Sequence, residues 1–373
     1  MLSKSKEQIV HVADCDDTNV MMEALYSKET TFDIGAAGTA MRFLTAYLAN
    51  KPGNWTLTGS ERMQNRPIGV LVDALNQLGA EIGCLGKEGY PPLSICGKDL
   101  QGGQISLAGN ISSQYISALL MIAPLMKQGL KITLEGEIIS RPYIAMTLQM
   151  MEDFGIHSEW IGRIISISHQ LYKPTSYTVE SDWSAASYWY SFASLSPGSK
   201  FHLLGLQKAS MQGDAQVAAI FESLGVKTEY KPDGVDISGT ENTAKTFCYN
   251  FINQPDLAQT VVVCCCLRNI SFSFSGLQTL KIKETDRIAA LINELAKLGY
   301  LLEEPAEGLL QWTGKRIDPD YGQAIRTYDD HRMAMAFAPA SFIRPILIEH
   351  PEVVSKSYPK FWDDLQKVGF IIV

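Results

Sequence analysis

The five residues Lys283-Glu284-Thr285-Asp286-Arg287 combine side chains that could carry out acid/base chemistry on an anionic compound. Lys283 and Arg287 are four residues apart, so on a helix they would share a face and repel by roughly 0.2–0.5 kcal/mol. An anionic ligand would offset that repulsion, and the carboxylate of Glu284 could move a proton. The alternative is a solvated amphipathic helix, in which Glu284 pairs with Arg287 and Asp286 lies near the helix N-terminus.

Arginines cluster in short motifs, as an anionic substrate would require. Six of the eleven arginines do so: Arg42, Arg62, Arg66, Arg141, Arg287 and Arg332. Residues 34–42 form a Gly- and Ala-rich turn into a predicted helix, whose free N–H groups favour an anion; small residues there could equally serve close packing. Arg62 and Arg66 precede Pro67, which is predicted to start a helix, and could instead form a salt-bridged surface loop.

Hydroxyl side chains stand at two predicted helix N-termini. Residues 112–114, Ser-Ser-Gln, open an apolar helix after a Gly-Asn turn, and residues 140–143, Ser-Arg-Pro-Tyr, open another. A hydroxyl at such a position either caps the helix or binds phosphate. These residues alone leave both roles open.

Two further motifs contain titratable groups. Asp256 precedes an apolar, cysteine-rich helix, where it could be a plain N-cap or an acid/base group. Arg332 lies in the first turn of a predicted helix, where the dipole disfavours a cation, so we expect an anion to face it. His331 beside it would more often be structural than catalytic. The motifs Ser210–Asp214 and Ser355–Pro359 complete the set, and none of them is a metal-ligand cluster, a dinucleotide fingerprint or a P-loop.

The elements that position these residues recur along the chain. An apolar helix ending in glycine and followed by a strand occurs five times, about 70 residues apart, at Gly79, Gly155, Gly225, Gly299 and Gly369. Each interval holds a second helix, such as residues 112–126 or 330–337, between β-rich pieces such as 131–135. The pattern predicts α/β modules with two helices and several strands. Residues 16–18, capping a helix over 19–26, fit the second helix of an earlier, incomplete copy.

The length of 373 residues predicts two domains, because single cores seldom exceed about 300 residues. We expect lobes over residues 1–180 and 181–373, a hinge at 177–182 and a site between the lobes.

The net charge of −8 argues against non-specific nucleic-acid or membrane-surface binding. No signal-like segment or long apolar run is present, so we expect a cytoplasmic protein. The seven cysteines fit no disulfide or zinc pattern, and Cys264–Cys266 should be buried packing thiols.

In this order, the motifs resemble the EPSP synthase (3-phosphoshikimate 1-carboxyvinyltransferase) family over essentially the whole chain. The matching segments are 35–42, 62–68, 112–114, 210–214, 283–287 and 330–335. The resemblance implies an α/β, two-lobed enolpyruvyl transferase fold, an inside-out barrel of repeated βαβαββ units with the first unit incomplete. It also implies addition–elimination transfer of the enolpyruvyl group of phosphoenolpyruvate to the 5-hydroxyl of shikimate 3-phosphate. This is a step of the shikimate pathway to chorismate and the aromatic amino acids.

The resemblance assigns residues position by position. It implies proton transfer by Asp256 and Glu284. For shikimate 3-phosphate it implies Ser112, Ser113, Gln114, Ser140, Arg141, Tyr143, Asp256 and Lys283. For phosphoenolpyruvate it implies Gly38, Arg42, Arg62, Gln114, Arg287, Arg332 and Lys356. The implied partners are two small molecules, with no metal, cofactor, nucleic acid or membrane, and we expect a monomer.

The chain departs from the family pattern at two places. Ala36 stands where the family usually has Asn. The family also begins with a Ser-Lys-Ser-x-Ser-Asn-Arg segment, whereas Lys4 of Ser3-Lys4-Ser5 lies only 13 residues before Asp17, about half the family's spacing. That segment supplies a Lys to phosphoenolpyruvate and a Ser and an Arg to shikimate 3-phosphate, each contact worth ~2–5 kcal/mol. We therefore expect that the true start of the protein lies upstream or that this chain is a truncated product. As written, the chain should bind its substrates weakly and turn over poorly.

Two other functions stay open on the sequence. The UDP-N-acetylglucosamine enolpyruvyl transferases share the repeat but not the pairing of segments 283–287 and 330–335. A non-catalytic relative would keep the fold and its ligand binding. Retention of both acid/base candidates and of four cations assigned to phosphoenolpyruvate argues against that alternative.

Overall fold

The computed structural model describes residues 9–241, 244–320 and 322–373. The segment Ser3–Ser5 lies outside these residues. Contacts along the chain divide it into two compact units, unit 1 up to Val179 and unit 2 from Glu180 onward, and the division falls within the segment 177–182. Each unit has its own hydrophobic core.

The described part of unit 1 begins with one short strand and one helix. Strand β1 (Ile9–Val10) pairs in parallel with β10 (Tyr177–Thr178), and helix α1 (Asp16–Tyr26) packs against α2 (Gly38–Ala49). The helix predicted over 19–26 begins three residues earlier, because Cys15 is its N-cap and the two aspartates occupy its first turn. There they complement the positive end of the helix dipole.

Two four-stranded sheets form the rest of unit 1. The first contains β2 (Thr31–Asp33), α2, β3 (Gly53–Thr58), α3 (Glu61–Gln64), α4 (Gly69–Gln77), β4 (Glu81–Cys84) and β5 (Leu93–Gly97). The second contains β6 (Gly103–Ala108), α5 (Ser113–Ile122), β7 (Leu130–Glu135), α6 (Arg141–Asp153), β8 (Glu159–Ile161) and β9 (Ile164–Ile167). Their strand orders are β2-β3-β5-β4 and β6-β7-β9-β8, each with a parallel first pair and an antiparallel last pair. A parallel pair needs a crossover helix and a hairpin does not, which gives the predicted βαβαββ order.

Unit 2 contains one four-stranded sheet that repeats this arrangement and one three-stranded sheet in which both strand pairs are antiparallel. The three-stranded sheet contains β11 (Lys200–Leu204), β12 (Val226–Lys231) and β13 (Gly234–Gly239), with helices α7 (Trp183–Leu195) and α8 (Val217–Glu222). The four-stranded sheet contains β14 (Thr246–Asn250), α9 (Ala258–Leu267), β15 (Ser271–Ser275), α10 (Arg287–Lys297), β16 (Glu303–Ala306) and β17 (Leu309–Trp312). Helices α11 (His331–Phe337) and α12 (Phe361–Lys367) follow.

The five predicted helix-ending glycines all have positive φ, between 78° and 100°. Strands follow four of them, while residues 370–373 after Gly369 form no strand. Helix α9 is buried along its whole length, so Cys264–Cys266 are packing thiols as predicted, and burial raises the pKa of each. Most of the functional candidates lie in the first turns of helices, at α2, α5, α6, α10 and α11.

Candidate functional site

The segment 283–287 is not one helix. A 3-10 turn over Gln278–Ile282 ends before Lys283, and α10 begins at Arg287 with Asp286 as its N-cap. The Asp286 carboxylate accepts hydrogen bonds from the N–H groups of Ile288 and Ala289, both at 3.1 Å. The prediction that Lys283 and Arg287 share a helical face is therefore wrong, because a new helix starts between them.

Three carboxylates surround the guanidinium of Arg287, which is 1% exposed. Asp330 accepts from Nε at 2.7 Å, Glu284 from Nη2 at 2.8 Å and Asp256 from Nη1 at 3.1 Å. The planar guanidinium presents donors in fixed directions and can meet all three at once. Burial opposes the charge of Arg287, but the carboxylates raise its pKa above the ordinary arginine value. We call Arg287, these carboxylates, Lys283, Arg332 and Lys356 the Arg287 cluster.

Asp256 is not a helix N-cap. It lies in a 3-10 turn over Pro255–Leu257, and α9 begins after it with Leu257 as N-cap. Its side chain contacts Nη2 of Arg332 at 3.1 Å and Nζ of Lys283 at 3.5 Å, besides Arg287. Burial opposes ionisation of Asp256, but Arg332, Lys283 and Arg287 together hold its pKa below the ordinary range. The turn therefore presents an ionised carboxylate to three cations.

Helix α11 places Arg332 and Asp330 together. Asp330 is the N-cap and accepts the N–H of Arg332 at 2.9 Å. The anion that we expected to face Arg332 is Asp256, whose backbone carbonyl also accepts from Nη1 at 3.2 Å. Lys356, the last residue of a 3-10 turn over Pro351–Lys356, donates to Glu284 at 2.5 Å, so Glu284 joins Lys356 to Arg287.

His331 is buried against this cluster, with 5% of its surface exposed. Burial lowers its pKa to about 3, Arg332 and Lys356 act in the same direction, and Asp330 opposes them. Nδ1 lies 3.8 Å from an oxygen of Asp330 and has no hydrogen-bond partner among the described residues. A neutral imidazole at physiological pH fits the structural role considered for this residue.

In unit 1, two guanidinium groups converge on Gly38, the first residue of α2. Nη1 of Arg42 donates to the Gly38 carbonyl at 3.0 Å, and its guanidinium lies 5.7 Å from the Tyr115 ring centre. A Cβ added at Gly38 would lie 2.7 Å from Nη1 of Arg66 and 3.0 Å from Nη1 of Arg42. Both arginines are buried. Paired cations at a helix N-terminus favour a bound anion.

The remaining unit 1 candidates for phosphoenolpyruvate lie on neighbouring elements. Arg62 is exposed and lies on the short helix α3, so it is not simply part of a loop. Pro67 does not start the next helix, which begins at Gly69. Gln114, in the first turn of α5, donates from Nε2 to Thr39 Oγ1 at 3.0 Å and so ties α5 to the start of α2.

The hydroxyl-rich N-termini of α5 and α6 differ in how they use their serines. Ser112 caps α5, because its Oγ accepts the N–H of Gln114 at 3.4 Å, and Ser113 is the first helical residue. Ser140, before α6, has a left-handed backbone with φ of 52° and makes no capping hydrogen bond with its side chain. Its buried hydroxyl therefore does not serve as the cap that was one of its two predicted roles.

Arg141 and Tyr143 lie in the first turn of α6. The guanidinium of Arg141 stacks 3.9 Å from the ring centre of Trp160, and the carbonyl of Tyr143 accepts from Thr147 at 3.0 Å. Stacking on an aromatic face leaves the in-plane N–H donors of a guanidinium available to an anion. Trp160 holds this arginine but was not among the predicted residues.

Two charged residues that build these groups were not predicted as site residues. Asp330 pairs with Arg287, and an Asp directly before a predicted helix is a signal that could have identified it. Arg66 was noted in its motif but given no role. Within residues 9–241, 244–320 and 322–373, no group of three or more His, Cys, Asp or Glu side chains is placed to hold a metal ion. None of the helices in the same ranges has the length and apolar character needed to span a bilayer.

Repeated βαβαββ sheets with charged groups at helix N-termini define an enolpyruvyl transferase fold. An EPSP synthase structure from Acinetobacter baumannii superimposes with a TM-score of 0.76, covering 98% of this chain and 91% of that one at 20% identity. The family description "EPSP synthase (3-phosphoshikimate 1-carboxyvinyltransferase)" matches residues 2–365. The chain belongs to the EPSP synthase family, as the motifs predicted.

Curated relatives agree with this assignment. The 3-phosphoshikimate 1-carboxyvinyltransferase of Bacteroides fragilis is 53% identical over 371 residues, which cover 99% of this chain and 90% of the relative. The protein of the same name from Shewanella pealeana is 37% identical over 347 residues, covering 92% and 80%.

Proposed function

We propose that this chain transfers the enolpyruvyl group of phosphoenolpyruvate to the 5-hydroxyl of shikimate 3-phosphate. In the addition step, the hydroxyl oxygen bonds to C2 of phosphoenolpyruvate, C3 gains a proton and the hydroxyl loses one. In the elimination step, the bond from C2 to the phosphate oxygen breaks and C3 loses a proton. The products are 5-enolpyruvylshikimate 3-phosphate and phosphate. The observation that carries this proposal is the Arg287 cluster, in which both acid/base candidates touch the cations assigned to phosphoenolpyruvate.

Phosphoenolpyruvate carries a phosphate and a carboxylate, and the proposed ligands match that charge. They are Arg287, Arg332 and Lys356 in unit 2 and Gly38, Arg42, Arg62 and Gln114 in unit 1. Guanidinium groups bind such anions through paired, charge-assisted hydrogen bonds. Pre-positioned cations also stabilise the charge of the tetrahedral intermediate, since they need little reorganisation during the reaction.

Shikimate 3-phosphate is proposed to bind the two hydroxyl-rich helix N-termini. The residues are Ser112, Ser113, Gln114, Ser140, Arg141 and Tyr143, with Lys283 and Asp256 from unit 2. The Ser140 hydroxyl makes no capping hydrogen bond, and the guanidinium of Arg141 is stacked on Trp160. Both observations support binding of the phosphate at the start of α6. Asp256 would then accept a hydrogen bond from the 5-hydroxyl of the shikimate ring rather than contact the phosphate.

Asp256 and Glu284 are the proposed acid/base pair. Burial opposes ionisation of Asp256, but Arg332, Lys283 and Arg287 outweigh it and lower the pKa. Substrate anions that share Arg332 and Lys283 would weaken that effect and make Asp256 a stronger base. Glu284, which contacts Lys356 and Arg287, is the second group that could exchange a proton with a substrate bound to those cations.

The test is a phosphate-release assay with both substrates on the full chain, two variants and one control variant. Asp256→Asn and Glu284→Gln should each lower kcat by roughly a hundredfold or more, because each removes a proton-transfer group. Glu303→Gln, which removes an exposed ion pair with Lys315, should stay within about twofold. Phosphate release only with UDP-N-acetylglucosamine, or with neither acceptor, would contradict the proposal.

We also propose that the chain acts as a cytoplasmic monomer on these small molecules. Its formal charge of −8 disfavours association with anionic surfaces and supports solubility. Light scattering of the purified chain, with and without substrates, measures the mass directly. A concentration-independent dimer mass would contradict the monomer.

A further inference from the structure

Glu294 is a fully buried carboxylate on the same helix as Arg287. The two residues are seven positions apart on α10, which is two helical turns, so they lie on one face. Glu294 is 0% exposed, and its role is not explained by the proposed chemistry. A buried carboxylate is unfavourable unless its oxygens are paired, so its partners indicate what it is for.

The partners of Glu294 lie on the segment that leads into α11. Oε2 accepts the backbone N–H of Arg326 at 2.9 Å, and Oε1 accepts the hydroxyl of Tyr328 at 2.7 Å. Lys297 donates to Oε2 at 2.6 Å and to the carbonyl of Ala324 at 2.9 Å. The third turn of α10 therefore holds the chain at three points between residues 324 and 328.

The held segment ends in two consecutive left-handed residues. Tyr328 and Asp329 have φ of 55° and 54°, although neither is glycine. Such a conformation is uncommon and persists only where the surroundings enforce it. Burial and the hydrogen bond to Glu294 raise the pKa of Tyr328 to about 12, so its hydroxyl stays a donor at physiological pH.

The next residue is Asp330, which caps α11 and pairs with Arg287. Asp330 is 0% exposed and reaches Nε of Arg287 at 2.7 Å. Helix α10 thus contacts the segment 324–330 twice, through Glu294 at the segment's beginning and through Arg287 at its end. Along the chain only the left-handed bend lies between the two contacts, so we expect a change at the first contact to affect the second.

We propose that Glu294 is a positioning residue for phosphoenolpyruvate binding, acting through the bend at Tyr328–Asp329 on the pair Asp330–Arg287. Glu294 does not touch substrate, since its oxygens are occupied and it is buried. The expected effect on phosphoenolpyruvate rests on the proposed function. The alternative is that the buried pair with Lys297 only stabilises unit 2.

The experiment compares Glu294→Gln and Tyr328→Phe with the unsubstituted full chain. Tyr328→Phe removes one hydroxyl and keeps the ring, so it is the variant expected to fold if Glu294→Gln does not. Glu303→Gln is the matched control, because it removes a carboxylate of the same unit whose partner Lys315 is exposed. Steady-state phosphate release gives kcat and the KM of each substrate, and urea unfolding gives stability.

Positioning predicts a rise in the KM for phosphoenolpyruvate of roughly tenfold for Glu294→Gln and about threefold for Tyr328→Phe, since charged hydrogen bonds are the stronger ones. The KM for shikimate 3-phosphate should stay within about twofold. Lower stability with both KM values unchanged would overturn the proposal, because a merely stabilising residue changes the amount of folded enzyme and not its affinity.

A crystal structure of Tyr328→Phe tests the inference without turnover. Positioning predicts loss of positive φ at residues 328–329 and a longer distance from Asp330 to Arg287. Retention of both would overturn it. If the unsubstituted chain releases no phosphate, the proposed function fails, while the geometry of the variant still decides the role of Glu294.

Discussion

The start of α2 in unit 1 and the Arg287 cluster in unit 2 both hold buried arginines, but their partners differ. Arg42 bonds a backbone carbonyl, lies beside the sulfur of Met63 and faces the ring of Tyr115, all of which are neutral. Arg287 instead contacts three carboxylates. Burial and charge are therefore combined in two different ways within one chain.

Because of this difference, we expect Arg42 to contribute mainly to the affinity for an anion and Arg287 mainly to the stability of the fold. A guanidinium held by neutral groups keeps its full charge for a ligand, whereas one held by carboxylates is largely compensated. Removing one partner of a buried ion pair leaves the other charge exposed to a low dielectric, which is strongly destabilising. We therefore expect loss of Arg287 to affect folding and loss of Arg42 to affect mainly binding.

The largest expected effect is that of Arg287→Ala. It leaves Asp330, Glu284 and part of Asp256 without their shared cation, and should lower the free energy of unfolding by about 3–5 kcal/mol. Urea unfolding measures this change. Arg326→Ala is the control, because Arg326 forms an exposed pair with Glu349 at 3.6 Å and should change stability by less than about 1 kcal/mol. Equal urea midpoints for Arg287→Ala and Arg326→Ala would contradict the expectation that the carboxylate partners of Arg287 make its loss strongly destabilising.

Arg42→Met tests the other half of the comparison. Its partners are neutral, so the free energy of unfolding should change by about 1 kcal/mol or less. The KM for phosphoenolpyruvate should rise roughly tenfold, since a charge-assisted contact is lost. Arg163→Met, at an exposed position of the same unit, controls for the loss of charge. A large loss of stability with unchanged KM would show that Arg42 is structural.

The sequence predicted the repeat well, because its signals are local. Gly79 and Gly225 end helices with positive φ, a preference that a few neighbouring residues determine. The βαβαββ order also follows from local alternation of helix and strand patterns. The family resemblance extended this to the fold.

The sequence suggested the pairing of Arg287 with Glu284, three residues away, but not its pairings with Asp256 and Asp330. Asp256 and Asp330 lie 31 and 43 residues from it along the chain, and only the folded sheet and helices bring them together. The error over Lys283 had a local cause, because the N-cap propensity of Asp286 outweighed helical continuity through the segment. Long-range charge pairing and a helix boundary thus limited the prediction in different ways.

His331→Gln should change how stability depends on pH. Burial lowers the folded-state pKa of His331 to about 3, whereas its unfolded value is near the ordinary 6.5. Between these values only the unfolded state binds the proton, so stability falls as pH decreases, by up to about 1.4 kcal/mol per pH unit. The variant should lose this slope between about pH 6.5 and 5, a range above the titration of Asp256.

Urea unfolding across that range measures the slope. His157→Gln, at an exposed histidine of unit 1, should parallel the unsubstituted protein. Asp330, Glu284, Arg332 and Lys356 face His331 and are not substituted in the variant. An unchanged slope in His331→Gln would mean that the imidazole is solvated and charged in the folded state.

Gly38→Ala should have the smallest effect. It tests whether phosphoenolpyruvate binds at the start of α2. The added methyl would lie 2.7 Å from Nη1 of Arg66, the far end of a flexible side chain, so the guanidinium would shift while the helix stays intact. Alanine is also favoured over glycine in a helix by about 1 kcal/mol, so stability should not fall. The KM for phosphoenolpyruvate should rise about threefold or more, with that for shikimate 3-phosphate unchanged.

Gly83→Ala, where the methyl would meet no atom within 4 Å, is the matched control. If both variants bind phosphoenolpyruvate like the unsubstituted chain, the arginines at α2 do not contact it, and Arg62 and the cations of the Arg287 cluster must provide its affinity.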